Sequence, residues 1–171
     1  MFEKGEFIVY GSTGVCEVAD ITTISHDTAI ASGISKNKLY YVLHPYNQNG
    51  GRIFTPVDNV KTVMRRIVSQ EEVEQILRNL QKIEDLWVDD ERQREQKYKE
   101  AYRSCDCRKW ISIIKTCNLH KAELKQRGKK LSAADRKYSK LAEESLFTEF
   151  SIPLDIPKEE VKEYIESYVE K

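Results

Sequence analysis

Four short runs of β-branched and aromatic residues open the chain: Phe7-Ile8-Val9-Tyr10, Val15-Cys16-Glu17-Val18, Leu39-Tyr40-Tyr41-Val42-Leu43 and Arg52-Ile53-Phe54-Thr55. Turn formers separate them, Gly11-Ser12-Thr13-Gly14 after the first and Asn47-Gln48-Asn49-Gly50-Gly51 before the last. The pattern predicts four or five short strands, which at this size imply a small barrel. The polar stretch from Ser25 to Asn37 reads as a long hairpin loop.

Near Val68 the period changes from two to about 3.6, and Gly and Pro almost vanish until Gly128. Ser69 and Glu72 stand at capping-box spacing ahead of the stripe Val73, Ile76, Leu77 and Leu80. A longer helix is expected from near Trp87 to about Ser104, with Asp106 as the next N-cap. The following stripe is Trp110, Ile113, Ile114, Cys117 and Leu124, stopped by Gly128. Ser132 and Asp135 repeat the capping signal, and Tyr138, Leu141, Ala142, Leu146 and Phe150 continue the rhythm until Pro153 and Pro157 break it. A last helix carries Val161, Tyr164, Ile165 and Tyr168, with Glu159 and Glu160 at its positive end.

The 171 residues suffice for two small domains, and 28 basic side chains balance 28 acidic ones. The balance is uneven along the chain: +1 over 1–66, −3 over 67–86, +5 over 87–150 and −3 over 151–171. A polyanion partner is therefore expected at the third block. No apolar run reaches membrane-spanning length, and MFEKGEF lacks a signal-peptide profile, so the expectation is a cytoplasmic protein without membrane contact. Four unevenly spaced cysteines then read as reduced thiols.

No phosphate loop, nucleophile elbow or dinucleotide fingerprint occurs. His26, His44 and His120 are scattered, and the carboxylate pairs Asp89-Asp90 and Glu159-Glu160 are adjacent in sequence, hence diverge on a helix. These features argue against an enzyme and against a cofactor. Cys105, Cys107, Cys117 and His120 have zinc-compatible chemistry, but Cys117 falls on an apolar stripe and Cys105 and Cys107 flank an N-cap, so no metal is expected.

Phe2-x-x-Gly5-x-x-x-Val9-Tyr10-x-x-x-Gly14-Val15, then Tyr40-Tyr41-Val42-Leu43 and Pro56 before Arg65-Arg66, resemble the CarD/CdnL family of bacterial transcription regulators. Trp87, Ser104-Cys105-Asp106 where the family usually has Ser-Gly-Asp, Leu131-Ser132 and Ala142-Glu143-x-x-Leu146-x-x-Glu149 follow in the family's order. The resemblance spans about residues 2–150. It implies an α+β chain: a small Tudor/SH3-like β-barrel over 1–66, then an all-α domain over 67–171.

The family's barrel docks on the RNA polymerase β subunit through an edge strand. Carried over, Ile24, Arg52, Ile53, Phe54 and Thr55 are the expected polymerase-binding residues, with Ile24 on the strand neighbouring the docking strand. The family's helical domain meets promoter DNA, largely independently of sequence, at the upstream edge of the transcription bubble, where a tryptophan enters the minor groove. Counted back from Asp106, that position falls on Glu91, and Trp87 stands one turn earlier, followed by the acidic Asp89, Asp90 and Glu91. Trp87 is thus either the wedge or a packing residue against Leu86 and the barrel. Arg92, Arg94, Lys97, Lys99 and Arg103, with Lys125, Arg127, Lys129 and Lys130, are the expected phosphate contacts. The expected protein is a monomeric adaptor that stabilises the open promoter complex without catalysis. The alternative is a peptide-binding or scaffold module with no DNA contact.

Overall fold

The computed structural model describes residues 1–24 and 38–170, so the loop expected over 25–37 lies outside the described residues. The chain divides into two compact units, 1–67 and 68–171.

The first unit is an antiparallel sheet of β1 (Phe7–Tyr10), β2 (Gly14–Thr23), β3 (Leu39–Pro45), β4 (Ile53–Pro56) and β5 (Met64–Arg66), in the order β4-β3-β2-β1-β5. Gly11 and Gly14, at φ +47° and +87°, turn the chain between β1 and β2. A side chain at Gly11 would place its Cβ 2.7 Å from Thr62 Cγ2, so glycine is required there for space as well as conformation. Ile8, Cys16, Val18, Tyr41 and Leu43 form the core of one face, with Phe2, Ile21, Ile53, Val57 and Met64 packed against it. The Phe2 amide donates to the Tyr41 hydroxyl at 2.9 Å, tying the N-terminus over this core.

Among the described residues β4 and β5 do not pair, so the sheet is open with these two strands at its edges, and barrel closure is not formed. β5 carried no strand signal because Met64-Arg65-Arg66 is short and basic; its conformation comes from pairing with β1, Ile8 opposite Arg66. β2 also runs five residues past Val18, because an irregularity between Val18 and Asp20 shifts the register against β3 and lets the pairing continue.

Among the described residues the second unit contains five α-helices: α1 (Gln70–Arg78), α2 (Glu91–Arg103), α3 (Cys107–Gln126), α4 (Ala133–Leu154) and α5 (Lys158–Val169). Ser69 with Glu72 and Ser132 with Asp135 form reciprocal capping boxes. Asp106 caps α3 by accepting from the Arg108 amide at 2.8 Å. Val73, Ile76, Leu77, Tyr98, Trp110, Ile113, Leu146, Phe150 and Val161 are buried, and the Trp110 indole donates to the Tyr102 carbonyl at 3.1 Å.

Trp87 is not helical. Asp90 is the N-cap of α2, accepting from the Gln93 amide at 2.8 Å, so the acidic run after Trp87 is a helix-start signal. Pro153 lies in the last turn of α4, and the helix ends one residue later, at Leu154. The helix stops at Asp155, whose left-handed φ of +52° lets its amide close on Ser151 and Ile152.

Asp155 is exposed and its backbone is in the conformation glycine adopts most readily. The Asp155→Gly variant should gain about 0.5–1 kcal/mol in stability, read from its urea midpoint at unchanged slope.

Candidate partner-binding surfaces

Among the described residues β4 is an edge strand, paired on one side only with β3: Thr55 opposite Tyr41, Phe54 opposite Val42, Ile53 opposite Leu43. The Val57 amide donates to the Leu39 carbonyl at 3.0 Å. Since hydrogen-bonded pairs alternate, Thr55 and Ile53 direct their backbone groups to β3, and the N–H and C=O of Phe54 point away from it along the open edge. Pro56, next in that outward set, has a carbonyl but no donor, which limits the length over which a further strand could pair.

The side chains alternate as well. Arg52 and Phe54 face outward, Phe54 being 40% exposed, whereas Ile53 packs on the core and Thr55 is buried with its hydroxyl accepting from Asn59 Nδ2 at 2.8 Å. Of the residues expected at this contact, Thr55 and Ile53 are therefore wall residues, and their side chains cannot read a partner without unpacking the sheet. Ile24 is also relocated. It follows the last residue of β2, and β3 separates β2 from β4, so Ile24 is not on a strand neighbouring β4.

In the second unit a buried ion pair lies beside Trp87. Arg94 Nε and Nη2 donate to the two oxygens of Asp135 at 2.8 and 3.1 Å, with side-chain exposures of 7% and 1%. The Tyr98 hydroxyl adds a third bond at 3.1 Å and the Ser132 amide a fourth at 2.9 Å. Burial works against the Asp135 carboxylate, yet the bonds from Arg94 and Ser132 outweigh it and hold its pKa below the usual carboxylate range. The remaining Arg94 nitrogen donates to the Val88 carbonyl at 2.8 Å, which binds the segment before α2 to the helix pair.

Trp87 belongs to that segment and is half-buried. The Arg94 guanidinium carbon lies 4.0 Å from the centre of its ring, and the His120 imidazole stacks on it at 4.0 Å and 12°. Its indole donates to Asp89 at 3.2 Å. Arg94 is thus a positioning residue beneath Trp87 and not a phosphate contact. Arg92, Lys97 and Arg103 are exposed along α2 and Lys99 is half-buried. The eleven-residue span from Arg92 to Arg103 extends about 16 Å, so Arg103 is remote from Trp87. Lys125 in the last turn of α3, and Arg127, Lys129 and Lys130 between α3 and the cap of α4, are exposed.

Residues 2–68 match the family model described as the CarD-like/TRCF RID domain. The first unit is a CarD-like RNA polymerase-interacting domain. The match covers the whole sheet and ends where the helical unit begins. A search of curated proteins gives no match to the chain.

The RID domain implies RNA polymerase as a partner in general, and β4 and β5 are the two edges of the sheet among the described residues. His120, stacked on Trp87, and Asp135, paired with Arg94, were not among the residues expected in this cluster. Asp135 was legible only as a cap, and nothing in the spacing of His120 from Trp87 signals a stacked pair. The four thiols are separate: Cys107 faces Glu149, Cys117 faces Tyr98 and the Asp135 carbonyl, Cys105 the Arg103 carbonyl, and Cys16 lies in the sheet. Burial raises the thiol pKa values of Cys117 and Cys16, the latter to about 11, which disfavours the thiolate. Among the described residues no three His, Cys, Asp or Glu side chains converge as metal ligands, and no helix is long and apolar enough to cross a membrane.

Replacing Arg94 by Met leaves the Asp135 carboxylate buried without its cation and should cost about 3–5 kcal/mol in the stability of the helical unit, measured by urea unfolding. Because the pKa of Asp135 is lower folded than unfolded, its stabilising contribution is complete above the ordinary carboxylate pKa of about 4 and is lost as the pH falls through the folded value. Circular dichroism at falling pH should therefore show helix loss beginning below about pH 4, and in the Asp135→Asn protein the Asp135 component of that dependence should vanish at reduced overall stability.

Proposed function

We propose that this chain is a non-catalytic, monomeric transcription regulator of the cytoplasm, one that binds the β subunit of RNA polymerase through β4 and stabilises the open promoter complex through its helical unit. The observation that carries the first half is the edge position of β4 in a RID domain, with Arg52 and Phe54 outward and the backbone of Phe54 directed off the sheet. A β-strand of the partner can pair there through the main chain, while the apolar Phe54 and the cationic Arg52 supply the side-chain readout.

The second half rests on Trp87, the exposed basic residues of the helical unit, and the CarD/CdnL-like order of motifs through Glu149. A half-exposed indole can wedge beside an unstacked base step while Arg92, Lys125, Arg127, Lys129 and Lys130 hold phosphates. The Asp89–Glu91 run that would repel phosphate is partly occupied: Asp89 accepts from the Trp87 indole and Asp90 caps α2. Preferential binding to melted DNA by about 1.4 kcal/mol shifts the opening equilibrium roughly tenfold, with no bond made or broken. Two weak attachments on one chain reinforce each other through effective concentration.

Arg52→Glu and Phe54→Ala should each weaken retention on an isolated polymerase β lobe about tenfold or more, whereas Thr55→Ser, a buried wall position, should leave it close to normal. Trp87→Ala should bind polymerase normally and shorten the open-complex lifetime. An unchanged lifetime removes the wedge, and a lobe that retains none of the full chain favours a scaffold role for the sheet.

A further inference from the structure

Between the tight turn at Leu80–Lys82 and the start of α2 at Glu91 the chain forms neither helix nor strand, and none of residues 81–90 is buried. Without a core side chain of its own or a backbone ladder, such a segment has little to fix its path. This one is fixed from outside. Ser112, Lys115, Thr116 and His120 stand three and four residues apart on one face of α3. The Ser112 hydroxyl donates to the Glu84 carbonyl, and Lys115 Nζ donates to the carbonyls of Ile83 at 2.7 Å and Leu80 at 3.3 Å. The Thr116 hydroxyl accepts from the Leu86 amide at 2.9 Å. At the end of the row His120 stacks on Trp87, and its Nε2 lies 2.8 Å from Asp85 Oδ2, a contact that the neutral ring makes with its single proton. Asp85 in turn accepts from the Trp87 amide.

We propose that this polar stripe of α3 is a positioning rail for Trp87: Ser112, Lys115 and Thr116 fix the backbone as far as Leu86, and the face of His120 fixes the indole that follows. Glu84 meets Ser112, Leu86 meets Thr116 and Trp87 meets His120, so the segment runs in the direction of α3. Three extended residues span about 10 Å and eight helical ones about 12 Å, which lets the two run in step. Ser112 and Thr116 are buried, at 4% and 0% exposure, in positions where a helix that serves packing alone ordinarily carries apolar residues.

Arg94 also touches the indole, but its bond to Asp135 makes it part of the helix pairing, so its loss disturbs the whole unit. His120 can be replaced without stranding a buried charge, because Asp85 is partly exposed and keeps the Trp87 amide. An indole already held in place loses less freedom when it is captured, so the rail lengthens the life of a complex without adding a contact to the partner. The inference rests on the proposed role of Trp87 at melted DNA and adds the residues that hold it there.

The test has two arms, so that failure of the rail and failure of the DNA role are distinguishable. In the full chain alone, heteronuclear NOE values of the two indole N–H groups report the order of Trp87 and, as internal reference, of the buried Trp110. His120→Ala and Thr116→Val should each lower the Trp87 value and leave that of Trp110 unchanged. His120→Phe, which keeps a flat ring but no bond to Asp85, should restore it. In open-complex kinetics with polymerase, His120→Ala should shorten the lifetime roughly two- to tenfold, as expected for loss of one stacked pair, and His120→Phe should recover most of it. Added to Trp87→Ala, His120→Ala should have no further effect. If Trp87→Ala itself leaves the lifetime unchanged, the DNA role fails and the first arm alone decides the rail. An indole that keeps its order in both His120→Ala and Thr116→Val, no recovery in His120→Phe, or a lifetime that His120→Ala shortens further in a chain already lacking Trp87 overturns the rail.

Discussion

The helical unit is organised around one buried charge pair. Arg94 and Asp135 lie on helices separated in sequence by the whole of α3, and each is almost fully removed from water. A pair of this kind gains little over apolar packing but is costly to break, because either partner alone would be a stranded charge. What it adds is specificity of arrangement. The planar guanidinium meets both carboxylate oxygens, its third nitrogen reaches the Val88 carbonyl, and its flat face lies against Trp87. The carboxylate in turn takes the Tyr98 hydroxyl and closes the capping box of α4. Helix pairing, helix capping and the seat of the indole are thereby settled by the same few atoms.

A different constraint governs the sheet. A strand at an edge exposes a row of backbone groups, which proteins ordinarily shield or shorten to prevent uncontrolled pairing. β4 is four residues long and ends at Pro56, so it offers a brief register with a defined end. The alternation that sends Ile53 and Thr55 into the wall sends Arg52 and Phe54 outward, and the same period decides which amides are free to pair. Any pairing at such an edge is limited by geometry more than by area, since few backbone bonds are available and the side chains on the outward face must supply the rest.

Much of the fold was legible in the residues because it rests on local physics. The turn at Gly11 to Gly14, the capping boxes at Ser69 and Ser132, the cap at Asp106 and the apolar stripes through Ile76, Ile113 and Leu146 depend on neighbours within a few positions. Where the reading failed, a longer-range partner had intervened. Met64-Arg65-Arg66 became a strand through β1, the continuation of β2 depended on an irregularity against β3, and Asp90 rather than Trp87 began α2. Arg94, grouped in sequence with its exposed basic neighbours, was turned inward by a carboxylate 41 positions away.

From its order of residues alone, this protein was a strand-rich head followed by capped amphipathic helices, with a resemblance that pointed toward the transcription machinery. Those properties follow from periodicity, capping and turn chemistry, all of which act over distances shorter than one element. Only the folded chain decided which cations face solvent and which are buried, which of two alternating faces of β4 is outward, and that an imidazole 33 residues distant stacks on Trp87. Burial and pairing are relations between elements, and the energy of a buried charge depends on a partner whose position the local sequence does not encode.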